Sequence, residues 1–191
     1  MKSVHITLAS ALSALLAMPA SAALMATASL DATQISPGEY EYDLTLNNVG
    51  TTTIGTLWFA WVPGINFMTA TPTNITAPAG WTAHLPLESG STDAGIQWLA
   101  GSNQLAAGGS LTGFSFQSTE TPAELAGFAL PPHQDFPVTT SFVYSGAPFS
   151  DAGYQFVAPV VSSVPLPGTL GLLTASLMTS GALWGRRQVN A

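Results

Sequence analysis

The 191-residue chain contains no cysteine, and its only Lys and Arg residues are Lys2, Arg186 and Arg187. With no disulfide to staple it, any folded part must stand on core packing alone. All ten carboxylates lie between the basic ends, so residues 23–159 carry a formal charge of −10 with histidine neutral. A surface of that sign repels nucleic acid and anionic membranes, and leaves cationic partners, divalent cations and neutral sugars. Catalytic groups are equally scarce. Residues 23–159 offer no Cys, Lys or Arg, only His84 and His133, and no Gly-x-Ser-x-Gly elbow for a nucleophilic serine.

Each basic end adjoins an apolar stretch. Lys2 precedes the short Leu- and Ala-rich run from Leu8 to Met18, and Pro19-Ala20-Ser21-Ala22 follows it. This is the pattern of a signal peptide over residues 1–22, with Ala20, Ala22 and Ala23 forming the small-residue site and cleavage expected after Ala22. At the other end, Leu170 to Trp184 is uncharged and runs directly into Arg186-Arg187. As a helix its 15 positions measure about 22 Å against a hydrocarbon core of about 30 Å, a marginal span. Positive-inside bias keeps Arg186 and Arg187 cytoplasmic as a stop-transfer mark and places the central domain outside.

The tail as a whole resembles the PEP-CTERM sorting signal of Gram-negative bacteria. The residues that carry the resemblance are Val164-Pro165-Leu166-Pro167-Gly168, the apolar run from Leu170, and the terminal Arg186-Arg187, with Leu166 standing where the family has Glu. The resemblance implies a sorting segment over 164–187, a cytoplasmic tail over 188–191, and processing near the Pro-x-Pro motif by an exosortase with a cysteine nucleophile. It also implies a route: a single pass through the inner membrane with the main domain periplasmic, then the cell surface or the medium. Pro165 and Pro167 favour an extended polyproline-II backbone that a protease cleft reads without unfolding a helix.

Between these segments, residues 23–159 have the size of one domain, and 160–163 read as a linker. Short apolar runs rich in Thr, Ser and aromatics alternate with turn residues, which favours strands. Candidate strands are Leu24–Leu30, Tyr40–Asn47, Thr53–Val62, Trp81–Leu87, Ile96–Ala100, Ser110–Ser118, Thr139–Tyr144 and Tyr154–Ala158. Ser36-Pro37-Gly38, Asn48-Val49-Gly50 and Val62-Pro63-Gly64 are among the turns between them. One helical turn is expected at Thr121-Pro122-Ala123-Glu124-Leu125, capped by Thr121 with Pro122 at its first position. The expectation is an all-β fold, an antiparallel β-sandwich of about eight strands. Pro37 to Gly50 and Leu105 to Phe116 resemble the strand and turn segments of bacterial immunoglobulin-like and fibronectin-III-like modules.

Two clusters are candidate binding features. In Glu39 to Leu46, strict alternation puts Tyr40, Tyr42, Leu44 and Leu46 on one face and Glu39, Glu41, Asp43 and Thr45 on the other. The three acids recur at about 6.8 Å with no cation in the domain to pair them. They read as a solvated face, or as part of a Ca²⁺ site joined by a loop acid, Asp31 or Asp93. The second cluster is aromatic, Leu57-Trp58-Phe59-Ala60-Trp61-Val62 with Phe67, Trp81 and Trp98. Core packing accounts for most of these residues, with Leu57, Phe59 and Trp61 inward; the alternative is a Trp58 ring that projects outward and could stack on a sugar.

No spacing supports a catalytic pair among Glu88, Asp93, Glu120, Glu124 and Asp135, although a fold brings distant acids together. His84 reads as a surface strand residue and His133 as a loop residue. Asn74-Ile75-Thr76 fits the N-glycosylation sequon. The leading functional class is therefore a noncatalytic protein of the cell surface or extracellular matrix, served by signal peptidase and exosortase, with no cofactor and no nucleic acid. The alternative is a module that binds exopolysaccharide or Ca²⁺; a glycosidase-like enzyme ranks last.

Overall fold

The computed structural model describes residues 22–86 and 93–162. In chain order the elements are β1 (Ala26–Ser36), β2 (Glu39–Asn48), β3 (Thr56–Phe59), β4 (Trp61–Val62), β5 (Ile65–Asn66), β6 (Thr73–Thr76), β7 (Trp81–His84), β8 (Ile96–Ala100), β9 (Ser110–Ser118), α1 (Pro122–Ala126), β10 (Thr140–Tyr144), β11 (Tyr154–Val157) and β12 (Val160–Ser162). Ten of the strands build two sheets, β12-β1-β2-β9-β6 and β11-β10-β3-β8-β7, while β4 and β5 form a separate short hairpin. The fold is all-β, with its helical content confined among the described residues to α1.

The long β1–β2 hairpin organises the first sheet. Gly38 turns the chain with φ +80°, a conformation that costs an L-residue but not glycine. From there the register runs from Gln34↔Tyr40 to Ala26↔Asn48. Leu30, Ala32, Tyr42, Leu44 and Leu46 are buried on one face, as strand alternation requires. From the facing sheet come Leu57, Phe59, Ile96 and Trp98. The layers meet through ring contacts, Phe59 on Phe116 at 5.2 Å and Trp98 edge-on to Phe114 at 5.4 Å. Each such side chain contributes about 2 kcal/mol by leaving water. The Trp98 indole N–H also donates to the Thr76 carbonyl at 2.7 Å, a polar pin between the two sheets.

Three local readings of the sequence need correction. Residues 160–162, read as linker, form β12, which pairs parallel with β1 in the register Leu30↔Val160 and Asp31↔Val161. The sandwich is therefore not wholly antiparallel. β1 runs on to Ser36, so Asp31 is a strand residue and not a loop acid. The expected strand Thr53–Val62 is split by Ala60, whose φ of +53° lies in the left-handed region and reverses the alternation beyond it. Leu57 and Phe59 enter the core as expected, but Trp61 leaves it and joins Trp58 on the outer face.

The sandwich has two distinct ends. At one, Asn48 is buried beneath the turns and Gly50 lies so close to the first strand that a β-carbon there would sit 2.3 Å from the Ala23 carbonyl oxygen. At the other are the Gly38 turn, the end of β9 opposite Tyr40, and α1, which lies against β12. Because β12 runs parallel to β1, it points toward this second end.

Candidate functional site

The second end holds a pocket walled by two acids. β9 stops at Ser118, and Glu120 turns back beneath the loop that follows. Its N–H donates to Ser118 Oγ at 3.1 Å, and its carbonyl oxygen accepts from the buried Tyr42 hydroxyl at 2.5 Å. The next residue begins α1 with a complete capping box. Thr121 Oγ1 accepts from the Glu124 N–H at 3.2 Å, and Glu124 Oε2 accepts from the Thr121 N–H at 2.6 Å and hydroxyl at 2.8 Å. These local bonds fix Glu120 and Glu124 on the wall of one pocket of about 240 Å³. Phe67, Thr69, Phe128 and Leu130 complete most of its lining.

The two carboxyl groups differ in environment. Glu120 is 8% exposed, and its Oε1 accepts from the Thr69 N–H at 2.9 Å and hydroxyl at 2.7 Å. Its Oε2 is buried and accepts nothing. Burial pushes the Glu120 carboxyl above the ordinary range, against the pull of the Thr69 donors and the Ala70 N–H, and the charge of Glu124 adds to the rise. Glu124 is held below the ordinary range by the Thr121 N–H and hydroxyl, and stays ionised. One acid is thus set toward neutral and its neighbour toward charged. Over this pair stand two exposed apolar side chains, Phe128 at 67% and Leu130 at 64%.

Of the acids that the sequence left scattered, Glu120 and Glu124 are brought together. Asp93 and Asp135 lie outside this pocket's lining, and Glu88 lies outside the described residues. The capping box was legible as Thr121-Pro122-Ala123-Glu124. The burial of Glu120 was not, because it depends on Tyr42 and Thr69, distant in the chain. The one sequence signal was an acid placed between the last residue of a strand and the cap of a helical turn.

The row Glu39, Glu41 and Asp43 occupies one face of β2 as expected. Asp43 stands opposite Asp31 on one side and Ser115 on the other, and Glu41 opposite Thr33 and Gln117. Glu39 accepts from the Ser36 hydroxyl at 3.1 Å. Among the described residues no three acids or histidines are grouped to hold a metal ion. Asp93 does not join the row; its carbonyl takes the Asn66 amide at 3.2 Å.

Trp58 lies on the outer face, but its ring is covered. Trp58 is 6% exposed and stacks on Trp61 with ring centroids 4.0 Å apart, so neither ring presents a free face. Phe142 meets Trp61 edge-on at 6.0 Å, Tyr144 joins the cluster, and Phe149 covers it from the β10–β11 loop. The Trp58 Nε1–H is left buried without an acceptor.

His84 is exposed on β7, and His133 is a loop residue with its ring edge-on to Phe67 at 6.4 Å. Asn74 lies at the exposed edge strand β6, where its side-chain amide donates to Gln117. Ala22 is exposed, and Ala23 is tied to Thr51, whose hydroxyl accepts the Ala23 N–H at 2.8 Å and whose N–H donates to the Ala23 carbonyl at 2.8 Å. Ala20, the sorting residues Val164 to Gly168, and Arg186 and Arg187 lie outside the described residues.

No protein-family model matches the chain, and no curated protein matches it. Among solved structures it is similar to a GH20 exo-β-N-acetylglucosaminidase from Vibrio harveyi, at 13% identity and a TM-score of 0.42, over 74% of this chain and 19% of that one. It is also similar to a family IIIA CBD from Clostridium cellulolyticum, at 12% identity and a TM-score of 0.38, over 72% of this chain and 96% of that one. The chain spans about a fifth of the glycosidase's length. Likenesses at this level do not establish a shared fold or a shared activity, so function has to be read from the chain's own residues.

Proposed function

We propose that this chain is an exported, noncatalytic β-sandwich protein of the cell surface or extracellular matrix, delivered by its N-terminal signal and sorted through its PEP-CTERM-like tail. The observation that carries the reading is that both expected cuts fall outside every described strand. Ala23, the residue after the expected signal-peptidase cut, is the first described residue hydrogen-bonded into the sandwich. β12 ends at Ser162, two residues before the sorting motif begins at Val164. Cleavage after Ala22 and near Pro165 would therefore leave every described strand in place. Its formal charge of −10 suits a soluble outer surface and repels anionic lipid.

The sugar-binding alternative loses its Trp58 platform, and a binding role moves to the Glu120 pocket. The test is to express the full chain with a tag inserted in the domain, in hosts with and without an exosortase, and to map its termini by mass spectrometry. Mature protein is expected to begin at Ala23, and to end near Pro165-Leu166-Pro167 only where the exosortase is present. An intact C-terminus in both hosts would sink the sorting reading.

A further inference from the structure

The pocket at Glu120 contains a carboxyl group whose two oxygens are unequally satisfied. Oε1 accepts two hydrogen bonds from Thr69 and the Ala70 N–H also acts on the carboxyl, while Oε2 is buried with no bonded donor. An acceptor oxygen in that position costs free energy until a donor reaches it. Residues 3–185 supply no Lys or Arg to do so. Glu124, ionised on the same wall, supplies a negative charge beside the Glu120 carboxyl, and the acidic domain as a whole draws cations toward it. The remaining walls are apolar: Phe67 and Val138 inside, Phe128 and Leu130 at the exposed rim. Aromatic faces attract cations as well as hydrocarbon.

We propose that this pocket binds a primary alkylammonium group, with the ammonium held by the carboxyl groups of Glu120 and Glu124 and the alkyl stem lying against Phe67, Phe128 and Leu130. The chemistry is that of a lysine side chain on a partner protein or of a free aliphatic amine. A neutral sugar fits less well, because its hydroxyls can donate to both carboxyl groups but bring no positive charge to balance Glu124. The proposal stands whether or not the tail is processed, since it rests on the pocket alone.

Calorimetric titration of the full chain tests it with four probes: butylamine, 1-butanol, an end-blocked Gly-Lys-Gly peptide, and the same peptide with norleucine for lysine. Both amines are expected to bind saturably and both neutral counterparts at least about tenfold more weakly, as expected for loss of a desolvated charge pair. The stronger amine identifies the source, protein-borne lysine or small amine. Glu120→Gln keeps the acceptor for Thr69 and removes the charge, and is expected to weaken amine binding at least about tenfold. Phe128→Ala, at an exposed rim position that the fold does not need, is expected to weaken it about threefold or more by removing the ring from the stem. Equal binding of amine and alcohol, saturable binding of neither amine, or amine affinity unchanged in both variants would overturn the proposal.

Discussion

Asn48 offers the sharpest test of how the sandwich is held at the end away from the pocket. It is 1% exposed, and its side chain makes three bonds: Nδ2 donates to the Thr52 carbonyl at 2.7 Å and the Leu105 carbonyl at 3.1 Å, and Oδ1 accepts from the Gly50 N–H at 3.1 Å. Their losses are unequal. The Leu105 carbonyl also receives the Ile54 N–H, and the Gly50 N–H also reaches the Met25 carbonyl, so both keep a partner in Asn48→Ala. The Thr52 carbonyl has no second donor among the described residues. An orphaned half-buried carbonyl costs about 2 kcal/mol and each of the other bonds about 0.5 kcal/mol after its fallback, giving about 3 kcal/mol in all. For a chain of this size that is a fall in Tm of about 9 °C. Asn48→Asp, nearly isosteric, should be worse at neutral pH by about another 2 kcal/mol, because it turns a carboxylate oxygen toward two carbonyl oxygens.

The sign of the pH effect separates the two variants. An Asp at 48 has a native pKa raised above its unfolded value of about 3.9, because only its protonated form donates. The native state then binds more protons than the unfolded state, so the Asn48→Asp protein loses stability as pH rises from the unfolded value through the raised native one. Its deficit against Asn48→Ala should vanish in acid. Urea unfolding followed by tryptophan fluorescence reads both quantities as midpoint shifts at constant slope. Asn48→Ala within about 0.5 kcal/mol of the parent, or Asn48→Asp as stable as Asn48→Ala at neutral pH, would refute the assigned network.

Two further outcomes are expected. Trp58→Ala should cost about 3 kcal/mol in urea unfolding, since it empties a stack, whereas Trp58→Phe should cost under about 1 kcal/mol because it keeps a ring on Trp61 and removes a buried N–H that has no acceptor. Loss of polysaccharide retention in Trp58→Phe with unchanged stability would restore the platform reading. Burial raises the native pKa of Glu120, so the native state holds its proton longer than the unfolded chain. Stability should therefore fall as pH rises from the ordinary Glu range through that raised value, and Glu120→Gln should flatten this segment of the pH–stability curve; an unflattened curve would refute it.

Local chemistry alone determined a good part of this protein. Strands at Ile96–Ala100 and Ser110–Ser118, the Pro37-Gly38 turn and the Thr121-capped helix are readable because alternation, turn residues and capping boxes act within a few positions. So is the extreme charge asymmetry, which needs no fold. Tertiary structure decided what pairs across distance. β12 is a strand only because β1 offers it an edge, and three residues lack a pattern of their own. Trp61 changed faces because one backbone angle at Ala60 changed sign, and composition records no such angle. Glu120 looked like any other acid in a loop. Only the closure of Tyr42, Thr69 and the loop to Leu130 around it produced a buried carboxyl with one oxygen unpaired, because burial belongs to the set of neighbours and not to the residue.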